Sequence, residues 1–540
     1  MTPAQEHLYK LLKEIDAICK KHDIEYFLEQ GTILGAVRHG GFLPWDNDLD
    51  IGMTEPNYNK FVKACQEELD GTTRTFCDNR LDREFPTVFG HYIDLTCCRV
   101  TAHTSFWKYH VGQTIDVFCW VELPGDIQEN KRIANLYYAY DEYVNQSFKH
   151  YSRTTDDIKA IYENLYKREK EIGREAVLAE LDAEIFGHHY EDCTMLMCTT
   201  ARMHWNTFMP KAAYDYMRKV PFEDMMVNIP GDWYELMCLN YDDKFCMVPR
   251  DPMIHTEMSY TNITCRAYVD DYLSAIDKDQ MLANRLKFKH MGVENGNRQA
   301  HLNKDFFAAR GALVKANLEA RIAAENIDVM ALVEEGTPES IATLSNLLEE
   351  YLASQVHSST QYWRCHYNCS DEVDLAAMYL LLVAKDDVLD IQRLIQVRLQ
   401  TGHEVTPAMM ELLAKAKRYR SCKKHWHYGE LEEGRKDMDW VLENLPYMHH
   451  AQTWDLLYKV AMAQSDADYQ AALEQADTLL AEQPDDDRAA KAKADTLLAL
   501  GRTQEAQELY DRLKRDCLNG FILLDIDRKV KAGVIQKAEA

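Results

Sequence analysis

A strict alternation of carboxylate and aliphatic residues, Asp48-Leu49-Asp50-Ile51, limits what this chain can become more than any other stretch. Side chains alternate between the faces of a β-strand, so both carboxylates project to one side while Leu49 and Ile51 enter a core. Two carboxylates side by side at a strand end make a divalent-cation site, and Mg2+ (or Mn2+) is the expected occupant where phosphates are handled. An isolated Asp-x-Asp is more often a solvated turn. The balance changes with Gly31-Thr32 upstream, which follows the apolar run Tyr26-Phe27-Leu28 and opens a short helical pattern. A Gly-Thr pair at such a junction offers backbone N–H groups to a phosphate.

Gly31-Thr32, Gly35-Ala36-Val37-Arg38-His39, Gly41-Phe42, Pro44-Trp45-Asp46 and Asp48-Leu49-Asp50-Ile51-Gly52 together resemble the signature of the LicD family. That family includes the fukutin-type transferases and belongs to the nucleotidyltransferase-fold superfamily. The resemblance implies an α+β nucleotidyltransferase-like domain, a mixed sheet with helices. It also implies a third carboxylate on a strand, within a Gly-x-x-x-Asp-hydrophobic-Phe pattern that Gly112 to Phe118 matches at Asp116. The residues argue the same way. Asp116 sits between β-branched neighbours in a run fit for burial, where an unpaired carboxylate is costly and a metal ion is the obvious partner. Pro221-Phe222-Glu223, Ile229-Pro230-Gly231-Asp232-Trp233-Tyr234-Glu235 and Asn240 to Arg250 resemble the family's later strand, turn and helix, with Asp242 where glycine is usual. The family's last segment is thought to close over the donor, which makes Asp243 a candidate substrate contact.

Around these motifs the chain reads as a helix from Thr2 to about His22 behind a capping box, then a strand from Ile24 to Leu28. A helix from Thr32 to His39 stops at Gly40-Gly41 and must pack on the sheet, being too short to stand alone. Arg38 suits phosphate oxygens as a cationic fork, or forms an ordinary surface ion pair. His39 is open between catalysis and packing, and Trp45 and Phe42 between stacking on a ligand and capping the core. Pro56 to Leu69 reads as a helix, Tyr92 to Leu95, Thr96 to Val100 and Thr114 to Phe118 as strands, and Asp126 to about Asp182 as a charged helical connector or lid.

At 540 residues the chain is too long for one core. The expected division is a catalytic domain over 1–255, a helical connector over 256–325, and an all-α, tetratricopeptide-like domain over 326–540. Tyr469 to Glu482, the Pro484-Asp485 turn, Ala489 to Leu500, Gly501-Arg502 and Glu505 to Tyr510 carry the repeat pattern; the pairs from Pro338 to Arg418 carry it more weakly. Such a solenoid docks a protein partner or orients an acceptor; the alternative is a compact helical cap. No apolar run approaches the roughly 18 residues of a spanning helix. Fifteen cysteines without a repeated spacing, and no secretory signal, point to reduced thiols in a cytoplasm. Cys365 and Cys369, with His366, His425 and His427, match no common zinc spacing. A net charge of -27 argues against nucleic acid as a partner.

The activity the resemblance implies is transfer of a phospho-alcohol, such as phosphocholine, from a CDP-linked donor to a hydroxyl of a cell-surface glycan or teichoic acid, releasing CMP. Asp48, Asp50 and Asp116 would hold the metal and do the catalysis. Gly31, Thr32, Arg38, His39, Trp45 and Asp243 would contact substrate. A lipid-linked acceptor would be met peripherally, at the inner membrane face. Two other readings stand beside it. One is a nucleotidyltransferase that releases pyrophosphate using the same carboxylates; the other is an inactive helical-repeat adaptor.

Overall fold

Thr2 starts the first helix in the way its sequence predicts. Its hydroxyl accepts from the Gln5 N–H at 3.2 Å, and the Gln5 side chain accepts from the Thr2 N–H at 2.9 Å. The helix α1, Pro3–Lys21, then buries Leu8, Leu11, Leu12, Ile15 and Ile18 at helical spacing. The computed structural model describes residues 1–101, 109–110, 112–145, 156–197, 208–242, 244–250, 259–262, 277, 309–356, 369–400 and 402–537.

The chain divides into two compact units. The first comprises Met1–Leu236 with Asp251–Leu302, and the second Met237–Arg250 with Asn303–Ala540. Residues 237–250, inside the 1–255 expected for the catalytic domain, thus group with the helical unit.

The first unit is built on a mixed sheet. Its strands in chain order are β1 (Phe27–Leu28), β2 (Asp50–Thr54), β3 (Arg74–Cys77), β4 (Gly90–Asp94), β5 (Cys98–Thr101) and β6 (Thr114–Leu123). The main path runs β1-β2-β6-β4-β3. Only β2 and β6 along it run parallel; β1 on β2, β4 on β6 and β3 on β4 are antiparallel. The central strand β6 continues five residues past Phe118, where its sequence pattern had suggested an end. Those residues are buried and take up β7 (Met195–Met197), which pairs in turn with β8 (Phe208–Pro210). A hairpin of β9 (Met217–Phe222) and β10 (Met225–Pro230) follows, and β11 (Ser259–Asn262) pairs with β5.

Helices cover this sheet. α2 (Gln30–His39) ends at Gly40 in the left-handed conformation, as its Gly-Gly stop predicts. α3 (Glu55–Glu68) buries Tyr58, Phe61, Ala64 and Cys65. The charged stretch after β6 forms α4 (Ile127–Asn145), α5 (Asp156–Ile172) and α6 (Arg174–Ile185). Their shared core is tyrosine-rich, with Tyr137, Tyr140 and Tyr143 beside Leu178, Leu181 and Ile185.

The second unit is helical, with Pro338–Val356, Asp371–Val383, Val388–Gln400, Pro407–Tyr428, Leu431–Asn444, His449–Ser465, Tyr469–Glu482, Asp487–Ala499, Thr503–Asp516 and Gly520–Lys531 among its helices; the one from Pro407 runs ten residues past the expected end at Arg418. Side chains of Ser370, Thr406, Asp468, Asp486 and Asn519 cap five of these starts. Arg398 is fully buried and ion-paired with Asp371 and Asp374, which ties two successive helices together. Residues 245–248 belong to this packing: Val248 N–H donates to Leu518 O (2.7 Å), Gly520 N–H donates to Cys246 O (2.8 Å), and Phe245 packs on the His427 and Phe521 rings. The described cysteines are free thiols. Cys365 and His366 lie outside the described residues; Cys369 is buried, and His425 pairs with Glu430 at 2.7 Å.

Candidate active site

The register of the sheet assembles the site. Asp50 on β2 and Asp116 on β6 are direct partners across the parallel pair, and the Asp116 N–H donates to Leu49 O at 3.2 Å. Partners on adjacent strands project to the same face, so the two carboxylates lie side by side. The next strand continues the row: His91 on β4 is paired with Asp116, and its Nδ1 is 2.9 Å from Asp116 Oδ1. On the other side the row begins at Glu29, just past β1, whose N–H donates to Asp50 O at 3.0 Å. Glu29, Asp50, Asp116 and His91 thus stand in line across four neighbouring strands. Leu49 and Ile51 are buried, as their alternation with the aspartates requires.

Asp48 lies just before the strand, which begins at Asp50. Asp46 is buried one turn earlier, in a loop held by the Gln5 side chain, whose Nε2 donates to Leu43 O (3.0 Å) and Asp46 O (2.8 Å). Burial, then a hydrogen bond with Asp48 and its charge, pushes the Asp46 carboxyl up to about 8, and its Oδ1 is buried without a hydrogen-bond partner. Burial also pushes Asp50 well above the usual carboxylate range, reinforced by the charges of Asp48, Asp116, Asp46 and Glu29. Among the described residues, Asp48, Asp50 and Asp116 do not form a group whose ligand atoms all lie within 4.8 Å of one another. A set of hard carboxylate oxygens, crowded enough to resist ionisation and with one buried oxygen unsatisfied, fits a divalent cation.

The Gly-Thr pair does something different from a loose phosphate loop. Gly31 and Thr32 lie in the first turn of α2, after Gln30 in the left-handed conformation at φ 47°. A non-glycine residue there is strained. The Thr32 N–H is committed to Glu29 O at 2.9 Å, and its hydroxyl accepts from the Asp50 N–H at 3.0 Å. Thr32 therefore fixes the start of β2, leaving its hydroxyl proton to donate.

Arg38 is buried, not on a helix surface, and its Nε points to His39 Nδ1 at 3.5 Å. Its guanidinium lies 5.9 Å from the Trp45 ring centroid, and the His39 ring meets Trp45 edge-on at 5.7 Å. Arg38, His39 and Trp45 form one cluster. Burial, with the Arg38 charge, lowers the His39 imidazole to about 4, so it is neutral at pH 7. Phe42 is a core residue, packed on Phe222 at 4.9 Å. The loop beneath it is clamped by Glu223 in the β9–β10 turn: the Phe42 N–H donates to its carboxylate at 3.2 Å, and the Glu223 N–H donates to Gly40 O at 2.9 Å. A Cβ on Gly41 would fall 2.1 Å from that carboxylate, so a larger residue there would displace the Glu223 clamp. Asp243 lies outside the described residues.

Sequence reasoning missed Glu29, His91 and Asp46. Glu29 is wholly buried, and its Oε2 accepts from Trp120 Nε1 at 2.9 Å. A Cβ on Gly52 would lie 2.7 Å from the same oxygen, so the glycine ending the Asp-x-Asp motif makes room for a carboxylate. An acidic residue directly after the Phe27-Leu28 strand was the available signal. His91 carried none, since its meaning depends on register.

Residues 23–111 match the family model described as LicD/FKTN/FKRP, nucleotidyltransferase domain; the match ends before Asp116, which the strand register brings in. Residues 23–111 of the N-terminal unit are thus similar to a LicD-type nucleotidyltransferase domain. The chain is similar to the lipopolysaccharide cholinephosphotransferase LicD of Haemophilus influenzae, 41% identical over 58 residues, 11% of this chain and 22% of that protein. It is similar to the human ribitol 5-phosphate transferase FKRP, 37% identical over 57 residues, 11% of each chain. An uncharacterized protein of Rickettsia prowazekii is 52% identical over 46 residues, 8% of this chain and 17% of that one. The matched stretch thus spans less than a quarter of each relative.

Proposed function

We propose that this chain is a divalent-metal-dependent phosphotransferase that moves a phospho-alcohol from a CDP-linked donor to a hydroxyl of a cell-surface glycan or teichoic acid, releasing CMP. The observation that carries the reading is the register of Asp50 with Asp116 inside a ring of further carboxylates. The names of the relatives, cholinephosphotransferase and ribitol 5-phosphate transferase, supply the class of group transferred.

In this reading Asp48, Asp50 and Asp116 would hold Mg2+ or Mn2+, and the ion would supply positive charge against the donor's pyrophosphate and the leaving nucleotide. The acceptor hydroxyl oxygen attacks the phosphorus bearing the alcohol. The bond from that phosphorus to the CMP oxygen breaks, and CMP leaves as an anion. Asp116 accepts the hydroxyl proton, oriented by the His91 contact at its Oδ1. Thr32 holds Asp50 in place through the backbone and donates its own proton to a phosphate oxygen, beside Gly31 in the same turn. Arg38 provides positive charge behind the pocket, while neutral His39 sets the Trp45 ring for stacking. Asp243 is a candidate donor contact.

The helical unit, with its capped and stacked helices, is proposed to dock a protein partner or the acceptor. Among the described residues no helix is long and apolar enough to cross a membrane, and the proposed setting is cytoplasmic, peripheral at the inner membrane face. Assaying CDP-choline, CDP-ribitol and CDP-glycerol with Mg2+ for CMP release tests the reading. Pyrophosphate release from CTP instead would make it a nucleotidyltransferase, and neither product would favour an inactive adaptor.

A further inference from the structure

On β4, alternation sends His91 toward Asp116 and sends its neighbours Tyr92 and Asp94 the other way. That second face meets α1. Tyr92 donates to Glu14 Oε2 at 3.1 Å, and His7 Nε2 lies 2.7 Å from Asp94 Oδ2. Just beyond the strand, the chain turns back so that Cys97 Sγ joins them. Among the described residues, His7, Asp94 and Cys97 form a group whose ligand-type atoms all lie within 4.8 Å of one another. Nothing in the phosphotransfer reading uses these three residues.

The surroundings are arranged as they are around metal ligands. A ligating carboxylate binds through one oxygen while its other oxygen is held by donors. Asp94 Oδ1 accepts from Arg74 Nη1 (2.7 Å), Thr96 N–H (2.7 Å) and Thr96 Oγ1 (2.6 Å), leaving Oδ2 toward His7. Cys97 Sγ accepts from the Gln113 N–H at 3.1 Å, a bond that favours a thiolate, while burial on balance pushes the metal-free thiol up. The turn is tight because residue 112 is glycine: a Cβ there would fall 1.7 Å from Asp94 O and 2.8 Å from Cys97 O. Burial would raise the Asp94 carboxyl, but hydrogen bonds from His7 and Thr96, with Arg74 nearby, hold it at about 2.

We propose that His7 Nε2, Asp94 Oδ2 and Cys97 Sγ form a transition-metal site, suited to Zn2+, that fastens α1 to the end of β4. Imidazole, carboxylate and thiolate are the donors zinc takes, and three protein ligands leave a fourth tetrahedral position for water. The His7 and Asp94 ligand atoms separate from 2.7 Å to roughly 3.3 Å to span such an ion. Binding releases the Cys97 thiol proton to solvent, and His7 carries its proton on Nδ1 so that Nε2 is free to ligate. Because Asp94 and His91 face opposite ways, this site is separate from the carboxylate row.

Cobalt substitution in the full-length chain reads out the site without activity. The expected result is a thiolate-to-cobalt absorption band that saturates at one Co2+ per chain and that Zn2+ abolishes. Cys97→Ser loses the band, His7→Ala weakens cobalt affinity by more than about 10-fold, and Asp48→Asn leaves both unchanged. A wild-type chain with no thiolate band overturns the proposal, as does a band that persists in Cys97→Ser. Should Cys97→Ser not fold, the partly exposed His7 decides: unaltered cobalt affinity in His7→Ala also overturns it.

Discussion

Asp50 and Asp116 are register partners on the parallel strands β2 and β6, and the Asp116 N–H donates to the carbonyl of Leu49 beside them. Their separation is therefore set by backbone hydrogen bonds and not by flexible side chains. Pre-positioned charge of this kind stabilises a metal-bridged transition state at no reorganisation cost.

Asp48→Asn and Asp50→Asn are each expected to leave a folded chain with transfer reduced by at least about 100-fold. Each amide removes a formal charge from the proposed clamp. Rates at saturating Mg2+, with circular dichroism as the fold control, check this; wild-type turnover in either variant excludes it from the metal site.

Asp116→Asn is expected to raise the melting temperature of the metal-free protein while abolishing transfer, because it relieves repulsion on Asp50. Glu29→Gln should behave likewise in stability, since its amide oxygen can keep the Trp120 bond. Melting curves with and without Mg2+ separate the two effects. Equal Mg2+-induced stabilisation in Asp116→Asn and wild type would place Asp116 outside the site.

The Asp46 carboxyl, raised from 3.8 to about 8, gives a pH dependence with a definite sign. Above pH 4 the unfolded chain ionises this group while the folded chain keeps it protonated, so folding is progressively disfavoured as pH rises toward 8. Metal-free wild type should lose melting temperature over that window more steeply than Asp46→Asn. At about 2–4 °C per kcal/mol for a domain of this size the difference is readable. Parallel curves would show that Asp46 is ionised throughout.

Thr32→Val tests whether Thr32 supports β2. It strips the acceptor from the Asp50 N–H and is expected to cost about 1–3 kcal/mol, the penalty of a buried unpaired donor. Chemical denaturation measures it. A Thr32 that touched only substrate would leave stability unchanged.

Local order was legible wherever a short stretch decides it. The Thr2–Gln5 box, the Gly40 stop and the burial of Leu49 and Ile51 all follow from neighbours in sequence. Asp48 and Asp50 were visible as candidates for the same reason. His91 was not, because its contact with Asp116 depends on which strands pair. Glu29 was overlooked because its burial is made possible by Gly52 across the sheet. The grouping of residues 245–248 with 518–521 joins segments more than 250 residues apart, beyond any periodicity. It also means that removing the C-terminal helices would strip the partners of Cys246 and Val248, so point substitutions are the sounder probe of either unit.

The most direct measurement of the central claim is calorimetric titration of Mn2+ into the full-length chain in the presence of a CDP-linked alcohol. The account predicts binding by wild type that weakens by more than about 10-fold in both Asp50→Asn and Asp116→Asn. Unchanged Mn2+ affinity in the two variants would contradict it.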